Sequence, residues 1–141
     1  MASVRQHIRI CRSPDEVWRV VADAAAVADW FPGMASSVLT GDIRQCVMEG
    51  GLTVQEQVVT NDGALRRFQY RIIGGLPFTH HLATVDVLDD PEGALVVYGA
   101  DLEPGDGAQM SQAFAGALDS LKVKVEGDER NSTPPDLGAR P

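Results

Sequence analysis

Along residues 3–11, SVRQHIRIC, apolar and polar positions alternate: Val4, Ile8 and Ile10 fall on one side, Arg5, His7 and Arg9 on the other. A period of two predicts a half-buried strand. Ser13 then stands where a helix N-cap is wanted, with Pro14 at the first helical position and Glu16 three residues after the cap. This is a capping box reinforced by the proline. Val17, Val20 and Val21 continue as an apolar stripe at helical spacing, and DAAAVADWF reads as a second short helix stopped by Pro32-Gly33. Beyond it the pattern is strand and turn. ASSVLTGD, IRQCVMEGG, LTVQEQVVT, ALRRFQYRII, THHLATVDVL and ALVVYGADLE are separated by turn residues, including Asn61-Asp62-Gly63 and Asp89-Asp90-Pro91-Glu92-Gly93. Six consecutive strands at hairpin spacing imply an antiparallel sheet.

Over residues 107–126 the period changes. Met110, Phe114, Ala117, Leu121 and Val125 recur at spacings of three and four, the signature of a long amphipathic helix. Residues 128–141, DERNSTPPDLGARP, hold paired prolines and one large aliphatic, too little apolar area to offset ordering entropy, and are expected to be a disordered tail after a domain at 1–127. The predicted architecture is α+β: a seven-stranded antiparallel sheet curved around a long C-terminal helix, with two short helices closing one end. A twisted sheet wraps such a helix and leaves space between its concave face and the helix. That space is the expected ligand pocket.

Composition narrows the function. The chain has 141 residues, 44% hydrophobic and 23% charged, which suits one domain with a single core. A net charge of −8 argues against nucleic acid, whose phosphates are bound by clustered Lys and Arg, and against anionic membranes. No stretch reaches the roughly 18 apolar residues that span a bilayer, and the N-terminus has no signal-peptide pattern, so membrane insertion is not expected and residence is expected to be cytoplasmic. Cys11 and Cys46 each lie in an apolar run and are expected as buried free thiols; no clustered Cys and His suggest a metal site.

Alternation also assigns side chains to the concave face. One polar group per strand falls among apolar neighbours there: Arg44, Glu56, Tyr70, His81 and Tyr98. A few convergent polar groups in an apolar container make a small-molecule site. Glu56 needs a partner if buried, and Arg44 on the neighbouring strand can supply it as a structural ion pair; otherwise Glu56 is a general base. His81 offers an imidazole for proton transfer or a fixed hydrogen-bonding group. Tyr70 and Tyr98 fill space or orient a substrate oxygen. His7, His80 and Asp86 face solvent. Trp30, Phe31 and Met34 sit at the bend made by Pro32-Gly33, with Met110 and Phe114 opposite on the long helix. Phe68 joins them from the sheet. These six read either as core packing or as the wall for a flat apolar ligand.

The segments SPDEVWRVVAD, ADWFPG, GDIR, VQEQV, RRFQYRI and LPF, followed by the closing helix, resemble the SRPBCC (START/polyketide-cyclase-like) superfamily over residues 3–126. The resemblance implies the helix-grip fold, shared with the major birch-pollen allergen. It also implies activities ranging from aromatic polyketide cyclases and dehydratases to lipid and hormone carriers. This chain departs from similar bacterial sequences at His81, where a Tyr often follows the LP turn, and at Tyr98, where Trp is frequent.

Two classes of function follow. In the first, a cofactor-independent cyclase or dehydratase acts on an aromatic or polyketide-type compound. His81, Glu56 and Tyr70 would carry the acid/base chemistry, and Trp30, Phe31, Met34, Arg44, Phe68, Tyr98, Met110 and Phe114 would hold the substrate. In the second, the same walls bind a lipid or hormone-like molecule without catalysis, or the pocket is vestigial and an outer surface binds a protein. The absence of a nucleophile motif argues against hydrolysis through a covalent intermediate. A homodimer is left open.

Overall fold

The computed structural model describes residues 1–132. Its elements follow the chain as strand β1 (Ala2–Ile10), helix α1 (Pro14–Ala22), a 3-10 helix (Ala24–Asp29), and strands β2 (Met34–Thr40), β3 (Ile43–Met48), β4 (Thr53–Asp62), β5 (Arg67–Gly74), β6 (His80–Asp90) and β7 (Gly93–Glu103). Helix α2 (Ala108–Ser132) closes the described chain. The sheet order is β1-β7-β6-β5-β4-β3-β2, antiparallel throughout. Hairpins account for every neighbour except β1, which returns to pair with β7 from Ala2↔Leu102 to Ile10↔Ala94.

Local chemistry explains the element ends. The Ser13 hydroxyl accepts the Glu16 N–H at 3.2 Å and the Glu16 carboxylate accepts the Ser13 N–H at 3.2 Å, so α1 starts on the predicted capping box. Val17 and Val21 are the buried face of α1. The second short helix is tighter and shorter than the sequence suggests. It is a 3-10 helix ending at Asp29, broken inside at Ala26 (φ −103°, ψ 17°), without a side-chain cap. The β4–β5 turn falls later than Asn61-Asp62-Gly63. Asp62 Oδ1 accepts the N–H groups of Ala64 and Leu65 at 2.9 and 3.1 Å, which keeps Asp62 in the strand and moves the reversal to 63–66. Helix α2 continues past the expected boundary at 127 to Ser132, and the rest of the expected tail, 133–141, lies outside the described residues.

The apolar stripe of α2 is buried at Phe114, Ala117, Leu118, Leu121 and Val125, against Ile10, Val96, Tyr98 and Leu102 of the sheet. Burying side chains of this size contributes about 1.5–3 kcal/mol each, which is why the sheet grips the helix. Register shifts between Met34 and Ser36, Gln55 and Glu56, and Val58 and Thr60 mark irregularities in the β2–β5 half. Shifts of this kind bend strands, and here they carry the half-sheet around the helix. Among the described residues, no helix is long and apolar enough to cross a membrane. Cys46 is buried, but Cys11 is exposed, because β1 ends at Ile10 and leaves the thiol on the bend that follows.

Candidate functional site

All five polar residues assigned to the concave face are buried: Arg44 is 2% exposed, Glu56 5%, His81 4%, and Tyr70 and Tyr98 similarly low. Arg44 and Glu56 are direct cross-strand partners on β3 and β4. The Arg44 Nε and Nη2 both lie 2.7 Å from Glu56 Oε1, and Nη1 donates to the carbonyl of Ala24 at 3.0 Å. The guanidinium also stands over the rings of Phe68 and Tyr70, 5.3 and 5.0 Å from their centroids. One side chain thus ties β3, β4 and the 3-10 helix together. Burial, the largest single influence, lowers the Arg44 pKa, but the charge and hydrogen bond of Glu56 together with Tyr70 and Tyr98 outweigh it, and the net direction is up. The Cys46 thiol also donates to Glu56 Oε1, at 3.6 Å, and is pushed up to about 12 by burial and by that carboxylate. It stays protonated and unreactive at neutral pH. Among the described residues no hydrogen bond reaches Glu56 Oε2.

Tyr70 and Tyr98 share a hydrogen bond of 2.5 Å between their hydroxyls. Burial raises both phenol pKa values well above the ordinary range, so both are neutral, and the pair has two hydrogens for one bond. One O–H is left to donate elsewhere.

His81 occupies a seam. Strands β5 and β6 pair only from Arg67↔Asp86 to Tyr70↔Ala83, and beyond that the Ile72 N–H donates to His81 Nδ1 at 3.0 Å instead of to a backbone carbonyl. A neutral ring that accepts at Nδ1 carries its proton on Nε2, and that N–H is buried without a partner among the described residues. Burial, aided by His80, lowers the His81 pKa to about 4. Rings of Tyr70 and Phe78 flank it at 5.7 and 5.3 Å.

A cavity of about 600 Å³ lies where β4, β5 and the start of α2 diverge. Five of the sequence-derived candidates line it: Phe31, Met34, Glu56, Tyr70 and Met110. The other six do not reach it. Phe114 is fully buried and stacks on Tyr98 with centroids 3.8 Å apart, and Trp30 packs against Tyr98 at 6.3 Å, so this trio fills the deeper part of the expected hollow. Arg44 and Phe68 are held behind Glu56 and Tyr70, and His81 is spent on the seam. The bend at residues 30–34 therefore does both jobs: Trp30 packs inward while Phe31 and Met34 face the cavity. Sequence reasoning missed the two loops at its mouth, Leu76-Pro77-Phe78 after β5 and Pro104–Gly107 before α2, which the Thr79 N–H joins at their base by donating to the Glu103 carbonyl at 2.9 Å. Three apolar residues in a turn, Leu76-Pro77-Phe78, were the available signal.

An antiparallel sheet curved onto one long helix, with a pocket between its edge and the helix start, is the helix-grip arrangement. Residues 1–126 match the sequence model of the family described as polyketide cyclase/dehydrase and lipid transport, and the chain belongs to that family. Among solved structures it is similar to the protein XoxI from Bacillus cereus (25% identity, TM-score 0.83, 92% of this chain and 99% of that one). It is also similar to the Zhui aromatase/cyclase from a Streptomyces species (19%, 0.73, 88% and 93%). A START superfamily protein from Mycobacterium smegmatis shares the fold as well (14%, 0.72, 90% and 99%). No curated protein sequence matches the chain.

Proposed function

We propose that the cavity binds one small apolar molecule bearing oxygen functions, and that the protein acts on it as a cofactor-independent dehydratase or cyclase. The observation that carries this reading is Glu56: a nearly buried carboxylate on the wall of an apolar pocket, its Oε1 fixed by Arg44 and its Oε2 uncommitted. Fixing one oxygen aims the other, and a positioned base needs no further reorganisation. Glu56 takes the proton α to a carbonyl, and the electrons of that C–H bond move onto the carbonyl oxygen. The O–H left over from the tyrosine pair, presented at Tyr70, stabilises the enolate. The enolate then expels a β-hydroxyl, which leaves as water with the proton returned by Glu56. The steps balance without an oxidant or a metal. His81 is given no part in them, since its Nδ1 lone pair already holds the Ile72 N–H and its ring is not on the cavity wall. The family description and the aromatase/cyclase neighbour support this chemistry; the lipid-transport half of that description supports binding without turnover.

The test uses a naphthyl β-hydroxy ketone whose dehydration product absorbs in the near ultraviolet. The expected result is acceleration over buffer, reduced at least about 100-fold in Glu56→Gln while the Kd changes less than about tenfold. Tight binding with no acceleration by the wild type assigns the protein to the carriers instead.

A further inference from the structure

Resting on the reading that the cavity is the ligand site, we infer that it accepts uncharged or cationic apolar molecules and turns away carboxylates and phosphates. Two carboxylic side chains stand on its wall, Glu56 deep inside and Asp106 at the mouth, and among the described residues no Lys, Arg or His lines it. Arg44, the cation behind Glu56, is not on the wall. All three of its nitrogens are already bonded, two to Glu56 and one to Ala24, and its face is covered by Phe68 and Tyr70. An anionic ligand would therefore lose its hydration against Phe31, Met34, Val54, Ile72 and Phe78 with no counter-charge to replace it. Two attractions for an anion remain, the single neutral O–H presented at Tyr70, which carries no counter-charge, and the positive end of α2, whose first residues reach the cavity. The helix end is partly met from within, since Asp106 Oδ1 accepts the Ala108 N–H at 3.0 Å and places a carboxylate there. A hydroxyl or ammonium group, in contrast, finds acceptors in Glu56 Oε2 and the Asp106 carboxylate. On this account the pocket is unsuited to free fatty acids or acyl phosphates, and suited to neutral polycyclic or polyketone-like compounds and to amines.

The experiment compares three fluorescent probes that differ in one substituent: anthracene bearing a hydroxymethyl, an aminomethyl or a carboxylate group at the same ring position, titrated at pH 7.5 and moderate salt. The alcohol and the amine are expected to bind, and the acid to bind at least tenfold more weakly than either, a gap of about 1.4 kcal/mol. Ala113→Trp, which pushes an indole into the cavity from α2, should abolish binding of the alcohol, and Met110→Trp serves the same purpose if the first variant is poorly folded. If the acid binds less than tenfold more weakly while both blocking variants remove binding, the charge inference is overturned and the cavity remains the ligand site. If the alcohol fails to bind, or binds the blocked variants as well as the wild type, the cavity reading falls and the inference with it.

Discussion

Replacing Arg44 by Met tests the internal architecture most directly, because it keeps an unbranched apolar stem and removes the guanidinium with its charge and hydrogen bonds. Arg44 is 2% exposed and Glu56 5%, so the pair cannot be treated as a surface salt bridge worth less than about 1 kcal/mol. Two unit charges about 4 Å apart attract by about 4 kcal/mol at an effective dielectric of 20. The variant loses that attraction and strands Glu56 in the interior, and it also leaves the Ala24 carbonyl without its donor. Breaking a buried pair in this way costs about 3–5 kcal/mol. Set against a total stability of about 5–15 kcal/mol, this is a large share, and for a domain of this size it lowers the Tm by roughly 10–20 °C.

The assay is urea unfolding at pH 7.5 followed by tryptophan fluorescence, with the double variant Arg44→Met/Glu56→Leu alongside. The double variant is expected to recover most of the loss, because replacing both charges by apolar groups of similar volume removes the stranded carboxylate. A cost below about 1 kcal/mol for Arg44→Met would refute the claim that the pair is desolvated. A double variant no more stable than the single one would place the loss in packing around Phe68 and Tyr70 and not in the unpaired charge.

His81→Asn keeps an acceptor near the position of Nδ1 and should preserve the Ile72 bond, whereas His81→Phe should deprotect the Ile72 amide to hydrogen exchange and weaken ligand binding. The folded-state pKa of His81 is near 4 against 6.5 for the free side chain, so the stability carried by the neutral ring is complete above about pH 6.5 and lost as pH falls towards 4. From pH 7 to 4 the wild type should lose on the order of 2 kcal/mol more than His81→Asn in chemical unfolding, and parallel pH profiles would remove His81 from the acid response. Thiol titration should find Cys11 reactive in the native protein and Cys46 reactive only after unfolding; rapid native labelling of Cys46 would contradict its burial beside Glu56.

Much of this arrangement was legible because alternation is a strict rule. In β6 and β7 the inward set Ala83, Val85, Val87, Val96, Tyr98 and Ala100 is buried as its period requires, and the same rule put Arg44 and Glu56 side by side. Alternation assigns a side, however, and not a depth. Tyr98 and Phe114 both face inward, yet they stack on each other and fill the space that a ligand would otherwise occupy, while Tyr70, a hydrogen bond away from Tyr98, reaches the cavity wall. Which of two inward tyrosines packs and which is presented depends on how far the sheet stands from the helix at that point, a distance no local pattern carries.

The seam at His81 shows a second limit. Along β6 nothing separates His81 from the apolar positions that follow it, and a period of two continues through it. Its distinguishing feature lies on the opposite strand, where β4–β5 pairing slips one residue beside Glu56 and Ile72 loses its backbone partner on β6. An N–H buried without an acceptor costs about 1–3 kcal/mol, so something in β6 has to reach across, and a side chain with an acceptor two bonds beyond Cβ is the piece that fits. The irregularity that keeps β5 and β6 apart there also leads into Leu76-Pro77-Phe78 at the cavity mouth. His81 thus pairs the backbone N–H that an ordinary ladder would have paired, just beyond Tyr70, the last paired residue of β5 along β6 and itself on the cavity wall.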